Sequence, residues 1–240
     1  MEVGKLVVNG SMEAPGGQYE KVSIRGEATV TGAVTTEKVS VYGDATFNND
    51  VRATKITVMG DADFHGEVYA DELKVYGDID CEQKAMVKHC KIRGDMSVED
   101  GLIGEIVNNK GMLKVNGPVS VDRFDSIGGC KIDDLLTADE INLRLYHVPS
   151  RIKEIGAGKV SVKRSHIPLD LMSRKGRLIA TEIEADEIYL ENTTADVVRG
   201  GRVQIGPGCN IQLVEYRDFV SISKKASVKE KTQLNVGVTE

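Results

Sequence analysis

Lys38-Val-Ser-Val-Tyr-Gly-Asp-Ala45, Lys55-Ile-Thr-Val-Met-Gly-Asp-Ala62 and Glu72-Leu-Lys-Val-Tyr-Gly-Asp-Ile79 are three copies of one phrase. Lys21-Val-Ser-Ile-Arg-Gly-Glu-Ala28 precedes them and His89-Cys-Lys-Ile-Arg-Gly-Asp-Met96 follows. Their glycines, Gly26, Gly43, Gly60, Gly77 and Gly94, keep one constant step without a gap, each about 17 residues after the last. An earlier copy ends at Gly10, just short of a full step before Gly26, and a later one, Met112-Leu-Lys-Val-Asn-Gly117, ends more than a full step after Gly94. That last step implies a six-residue insertion within residues 101–111.

A fixed step sorts the residues into columns. Four before the glycine come Leu6, Val22, Val39, Ile56, Leu73, Cys90 and Leu113, and two before it Val8, Ile24, Val41, Val58, Val75, Ile92 and Val115. Two after it come Ala28, Ala45, Ala62, Ile79 and Met96, and four after it Val30, Phe47, Phe64, Cys81 and Val98. Val34, Val51, Val68 and Ala85 follow eight after. Polar residues fill the places between, so each unit alternates in and out with the period of a strand. A hairpin sandwich does not need one identical turn at a fixed step, whereas a parallel β-solenoid does, because each unit is one circuit stacked about 4.8 Å above the last. The expected fold is all-β, a parallel β-helix of about 17 residues per circuit. The Gly-Asp pair reads as turn chemistry: glycine for a positive φ, aspartate for a bond to the backbone beyond it.

In the second half the apolar-x-apolar pair recurs in Gly158-Lys-Val-Ser-Val, Asp186-Glu-Ile-Tyr-Leu, Gly201-Arg-Val-Gln-Ile and Phe219-Val-Ser-Ile, the final two intervals being close to one circuit. Residues 124–177 fit worst. Within them, residues 133–141 and the stretch Pro168-Leu-Asp-Leu-Met are compatible with a short helix, bulged circuits or a lateral excursion. The reading is therefore of regular N-terminal circuits over residues 1–123, an irregular connecting segment over 124–177, and C-terminal circuits with a short tail over 178–240.

The 240 residues are 40% hydrophobic and 28% charged, a foldable balance, but only 5% aromatic and without Trp. A net charge of -6 offers no basic footprint for nucleic acid, so no nucleic-acid partner is expected. Residues 1–10 carry only a short apolar run with no small-residue cleavage site, and no stretch nears the roughly 18 apolar residues of a spanning helix. The expected location is cytoplasmic.

Site chemistry is sparse. The column after the glycine is acidic (Glu27, Asp44, Asp61, Asp78, Asp95), but a single Gly-Asp per circuit lacks the close spacing of calcium-binding solenoid repeats. Cys81 and Cys90 replace aliphatic or aromatic residues in inward columns, and with Cys130 and Cys209 they are expected to be free thiols acting as small hydrophobes. His65 and His89 fall at outward positions, while His147 and His166 lie in the irregular middle. There is no phosphate loop, nucleophile elbow or His-Glu-x-x-His pair, and Gly206-Pro-Gly208 is a turn. No catalytic residue, metal or cofactor is expected.

What remains is the coil itself. A solenoid ends in layers of unpaired backbone groups over an apolar interior. Leu6 and Val8 already occupy inward columns, and Phe219, Val220, Ile222 and Val228 continue the pattern almost to the tail. These six residues are the candidate polymer interface, through which uncapped ends would stack without nucleotide. The alternative is a solenoid that binds a glycan or cell-wall fragment along its side, for which the column Tyr42, Met59 and Tyr76 is the only pointer.

The Val-x-Val-x-Gly-Asp repeats from Gly26 to Gly94, with Ala185-Asp-Glu-Ile-Tyr-Leu-Glu-Asn-Thr-Thr-Ala-Asp-Val-Val-Arg-Gly200 and Val203-Gln-Ile-Gly-Pro-Gly-Cys-Asn-Ile211, resemble the bactofilins, polymer-forming bacterial cytoskeletal proteins. The resemblance implies a right-handed β-helix and nucleotide-independent filaments that scaffold cell shape, polarity or motility. It also implies self-association, other bactofilins and membrane-associated proteins as partners, and peripheral contact with the inner face of the membrane. An apolar residue in a terminal turn is expected at the end-to-end contact, for which Phe219 is the candidate. The chain is longer than compact members of that family and has the irregular middle.

Overall fold

A computed structural model of the chain describes residues 4–165 and 176–234. Every regular element among them is a β-strand, and they fall into two compact units, Met1–Val121 and Asp122–Glu240.

The first unit is a parallel β-solenoid. Long strands Gly17–Ile24, Val34–Val41, Val51–Val58, Val68–Val75, Ala85–Ile92 and Leu102–Asn109 alternate with short ones Glu27–Val30, Asp44–Phe47, Asp61–Phe64, Asp78–Cys81, Asp95–Val98 and Met112–Val115. Long pairs with long and short with short, in parallel, along the columns of the repeat. Val22 lies beside Val39, Val39 beside Ile56, Ile56 beside Leu73, Leu73 beside Cys90, and Cys90 beside Val107. Each long strand also contains a corner. Thr36 pairs with Ala53 and Lys38 with Lys55, the ladder passing over Glu37 and Thr54, and there two successive side chains point outward. A second corner lies at the glycine. Each circuit therefore has three sides, which in one circuit are residues 34–36, 38–41 and 44–47.

The inward columns form a dry, narrow core. Ala28, Ala45 and Ala62 keep one side thin, which leaves room for Phe47 and Phe64 to stack with ring centroids 4.9 Å apart, both fully buried. This matching of small against large residues fills a narrow interior with few aromatics.

Two expectations need correction. The column glycines do not serve a left-handed turn, since the positive-φ glycines among the described residues are Gly17, Gly101 and Gly208. They are required by close approach. A β-carbon at Gly60 would lie 2.2 Å from the carbonyl oxygen of Gly43, and one at Gly77 2.1 Å from that of Gly60. The supposed insertion is also absent. Leu113 pairs with Met96 and Val115 with Val98, so the glycine equivalent to Gly94 is Gly111, again one regular step on, and not Gly117. The apparent copy at residues 112–117 belongs one side later in the circuit. Its true counterpart ends in Asn109, a polar residue in an otherwise aliphatic column, which hides the phrase. Asn109 is 1% exposed, and its Oδ1 accepts a bond from the Gly111 amide at 3.1 Å, replacing an apolar contact by a satisfied polar one.

The second unit also coils in parallel, through Arg123–Ser126, the longer unbroken strands Gly129–Leu145, Ser150–Arg164, Leu178–Leu190, Thr193–Ile205 and Asn210–Ile222, and Ser227–Gln233. Phe124, Ile141, Val160, Ile188, Val203 and Val220 form its central inward column. Of the alternatives for residues 133–141, the bulged circuit is what forms: the stretch is strand, with a register shift between Ile132 and Leu135. Pro168 through Met172, and His166, lie outside the described residues.

Candidate assembly surfaces

The candidate interface residues sit at two ladder edges with different exposure. Lys5–Val8 pairs with Gly17–Ile24, and among the described residues no strand lies on its other side. Leu6 and Val8 are nonetheless buried within their own circuit, at 9% and 2% exposure. The residue that opens at this edge is Met12. It stands in the column of Ala28 and Ala45, yet is 47% exposed where Ala28 is 2%. Sequence reading missed it, although its place two after Gly10 puts it in that column.

In the second unit, Ser227–Gln233 pairs with residues 210–216 of the preceding strand, and Gln233 Nε2 donates to the Arg217 carbonyl at 3.0 Å, which leaves residues 218–222 without a partner strand on that side among the described residues. Val203, Ile205 and Ile211 are fully buried, whereas their counterparts one circuit on, Val220, Ile222 and Val228, are half-buried. An aliphatic interior thus opens beside N–H and C=O groups that have no partner strand among the described residues, the combination that recruits another strand edge. Phe219 is placed differently. It is set outward opposite Arg202, whose guanidinium lies 5.5 Å from the ring centroid, and it is 41% exposed.

On the sides of the first unit, Tyr42, Met59 and Tyr76 form an exposed column, with Arg93 over the Tyr76 ring at 5.5 Å. His65 and His89 lie outward beside Glu82 and Glu105 at 3.7 and 3.8 Å. Among the described residues no three His, Cys, Asp or Glu side chains come together in a metal-holding group, and no helix is long and apolar enough to cross a membrane. The acidic column is a surface ladder.

All four cysteines are free and buried. Burial pushes the Cys90 thiol up to about 12 and that of Cys130 up to about 11, and raises Cys81 and Cys209 as well. A thiol so placed is neither ionised at neutral pH nor reachable. Native protein is expected to leave all four cysteines unlabelled by an aromatic disulfide reagent over minutes, and denatured protein to release four equivalents. Immediate reaction of any of them in native buffer would contradict this burial.

No family model and no solved structure matches the chain. Two proteins of Bacillus subtilis (strain 168) resemble part of it. The uncharacterized protein YhbF is 48% identical over 101 residues, covering 42% of each chain. The uncharacterized protein YhbE is 38% identical over 106 residues, covering 43% of this chain and 45% of its own. The chain thus spans under half the length of the curated relatives it matches.

Proposed function

We propose that this chain is a bactofilin-like cytoskeletal scaffold subunit that assembles end to end into filaments without nucleotide, and that it acts as a support for cell shape, polarity or motility. The observation that carries the reading is the loss of burial along inward columns at the last described circuit of the second unit, at Val220, Ile222 and Val228, and at the first described circuit of the first unit, at Met12. Covering those side chains with the edge of a second copy removes apolar surface from water and, in the same step, pairs the backbone groups that have no partner strand among the described residues. Nothing in such a contact uses a bound nucleotide or a chemical reaction, and the chain works as a structural element and not as an enzyme. The expected setting is the cytoplasm at the inner face of the membrane, with other scaffold subunits and membrane-associated proteins as partners.

Electron microscopy of the purified full chain without nucleotide is expected to show filaments. The double substitution Val220→Glu, Ile222→Glu buries charge at the contact and is expected to leave only short particles, with the far-ultraviolet circular dichroism and melting of the parent. Phe219→Arg, at an outward position, should shorten filaments less. Uniform short particles of the parent chain at every concentration would sink the reading, and so would filaments that survive the double substitution and Met12→Glu unchanged.

A further inference from the structure

The corner at the glycine of each circuit of the first unit separates two sides of opposite charge. On the side between that corner and the glycine, the outward column just after the corner runs Lys5, Lys21, Lys38, Lys55, Glu72 and His89. The next outward column contributes Lys74 and Lys91 beside serines and threonines, and the one before the glycine Arg25, Arg93 and Lys110 around Tyr42, Met59 and Tyr76. The one carboxylate among these positions is Glu72, held by Lys55 at 2.8 Å and Lys74 at 2.7 Å, and those two lysines depress its carboxyl to about 2. The side after the glycine is the reverse. Glu27, Asp44, Asp61, Asp78 and Asp95 form its first outward column, all exposed. Glu13, Asp63 and Asp80 stand in the second, and Glu82 and Glu99 follow, with Lys114 the one lysine among them. A chain whose net charge is only -6 therefore presents one basic and one acidic side.

Both sides belong to one coil, so their charges repeat at the same spacing of about 4.8 Å along the axis. A lysine ladder laid on an aspartate ladder matches circuit for circuit. Within either side like charges stack next to one another and repel, and a counter-surface of opposite sign relieves both. We propose that the basic side of the first unit seats against the acidic side of the first unit in a second copy, so that polymers of this chain associate side by side. Each exposed pair is weak alone. Many pairs along two filaments act together, and to that extent the strength of the association rests on the end-to-end reading.

The test uses the full chain and two variants: Lys21→Glu, Arg25→Glu, Lys38→Glu, Lys91→Glu, Arg93→Glu, after which acids outnumber bases on the basic side, and Asp44→Lys, Asp61→Lys, Asp63→Lys, Asp78→Lys, Asp80→Lys, Asp95→Lys, after which bases outnumber acids on the acidic side. The parent is expected to form paired or bundled filaments at low salt. These should separate into single filaments of unchanged length near 0.5 M salt, where screening shortens to roughly 4–5 Å. Each variant alone should give single filaments even at low salt, and an equal mixture should bundle again, because both sides of one variant are then net acidic and both sides of the other net basic. Bundling by either variant alone, bundles that survive high salt, or a mixture that stays dispersed would overturn the proposal. Loss of the filaments themselves at high salt would count instead against the apolar end-to-end contact. If only short particles form, sedimentation velocity reads the same salt, variant and mixing pattern.

Discussion

Replacing Gly60 by alanine is expected to cost the first unit about 3 kcal/mol or more, whereas the same change at Gly10 should cost a few tenths at most. One methyl group is added in each case. At Gly60 its carbon would lie 2.2 Å from the carbonyl oxygen of Gly43, which already accepts the amide of Asp61 at 3.0 Å. The carbonyl cannot retreat, because the backbone of Gly43 is seated equally closely on that of Gly26. The strain must therefore open a ladder bond or spread into both neighbouring circuits, and a stack in which each circuit contacts only its neighbours has little else to absorb it. At Gly10 nothing lies within 4 Å of the added carbon. Chemical denaturation of the two variants, followed by circular dichroism, measures the difference, and equal midpoints would show that the glycine column is not set by stacking.

Phe64→Ala is expected to lower stability by about 3–5 kcal/mol, the larger part from lost burial and the cavity left behind. Phe64 is 1% exposed and lies flat on Phe47, the planes 4° apart. Part of the loss, about 0.5–1.5 kcal/mol, comes from that stacking, and it should appear as coupling between the two rings when single and double alanine variants are compared. The neighbouring columns cannot collapse into the space: Ala45 and Ala62 are too short, and the backbones they hang from are pinned by ladders on both sides. Phe64→Leu, which keeps most of the volume, should cost clearly less. Matching losses for alanine and leucine would mean that the cavity is filled by rearrangement.

The candidate interface was legible in part. Val220, Ile222 and Val228 were visible as the last members of inward columns, and the structure places them where those columns open. Phe219 stands out in the sequence as an apolar residue of a terminal turn, but the structure sets it outward opposite Arg202, as its alternation with inward Val220 and Ile222 requires. Met12 stood in plain view at its place in the repeat, yet its significance depends on nothing being stacked beyond it among the described residues.

The amino-acid sequence by itself determined the coil, its period and, from Gly10 to Gly94, which residues stack. A recurring phrase at a constant step puts equivalent side chains into ladders, and ladders of aliphatic residues can only face inward. Only the tertiary structure decided the register at Asn109, where a polar side chain satisfied by the Gly111 amide stands in for an aliphatic one and breaks the pattern that composition follows. It also decided why the glycines are there, because the approach of one circuit's carbonyl to the next is a property of stacked backbones. Finally, it located the corner at Glu37 and Lys38 and its equivalents. Alternation records in and out, but not where the chain bends: this bend sets the edge of the side that carries the outward lysines, and the bend at the glycine parts them from the aspartates.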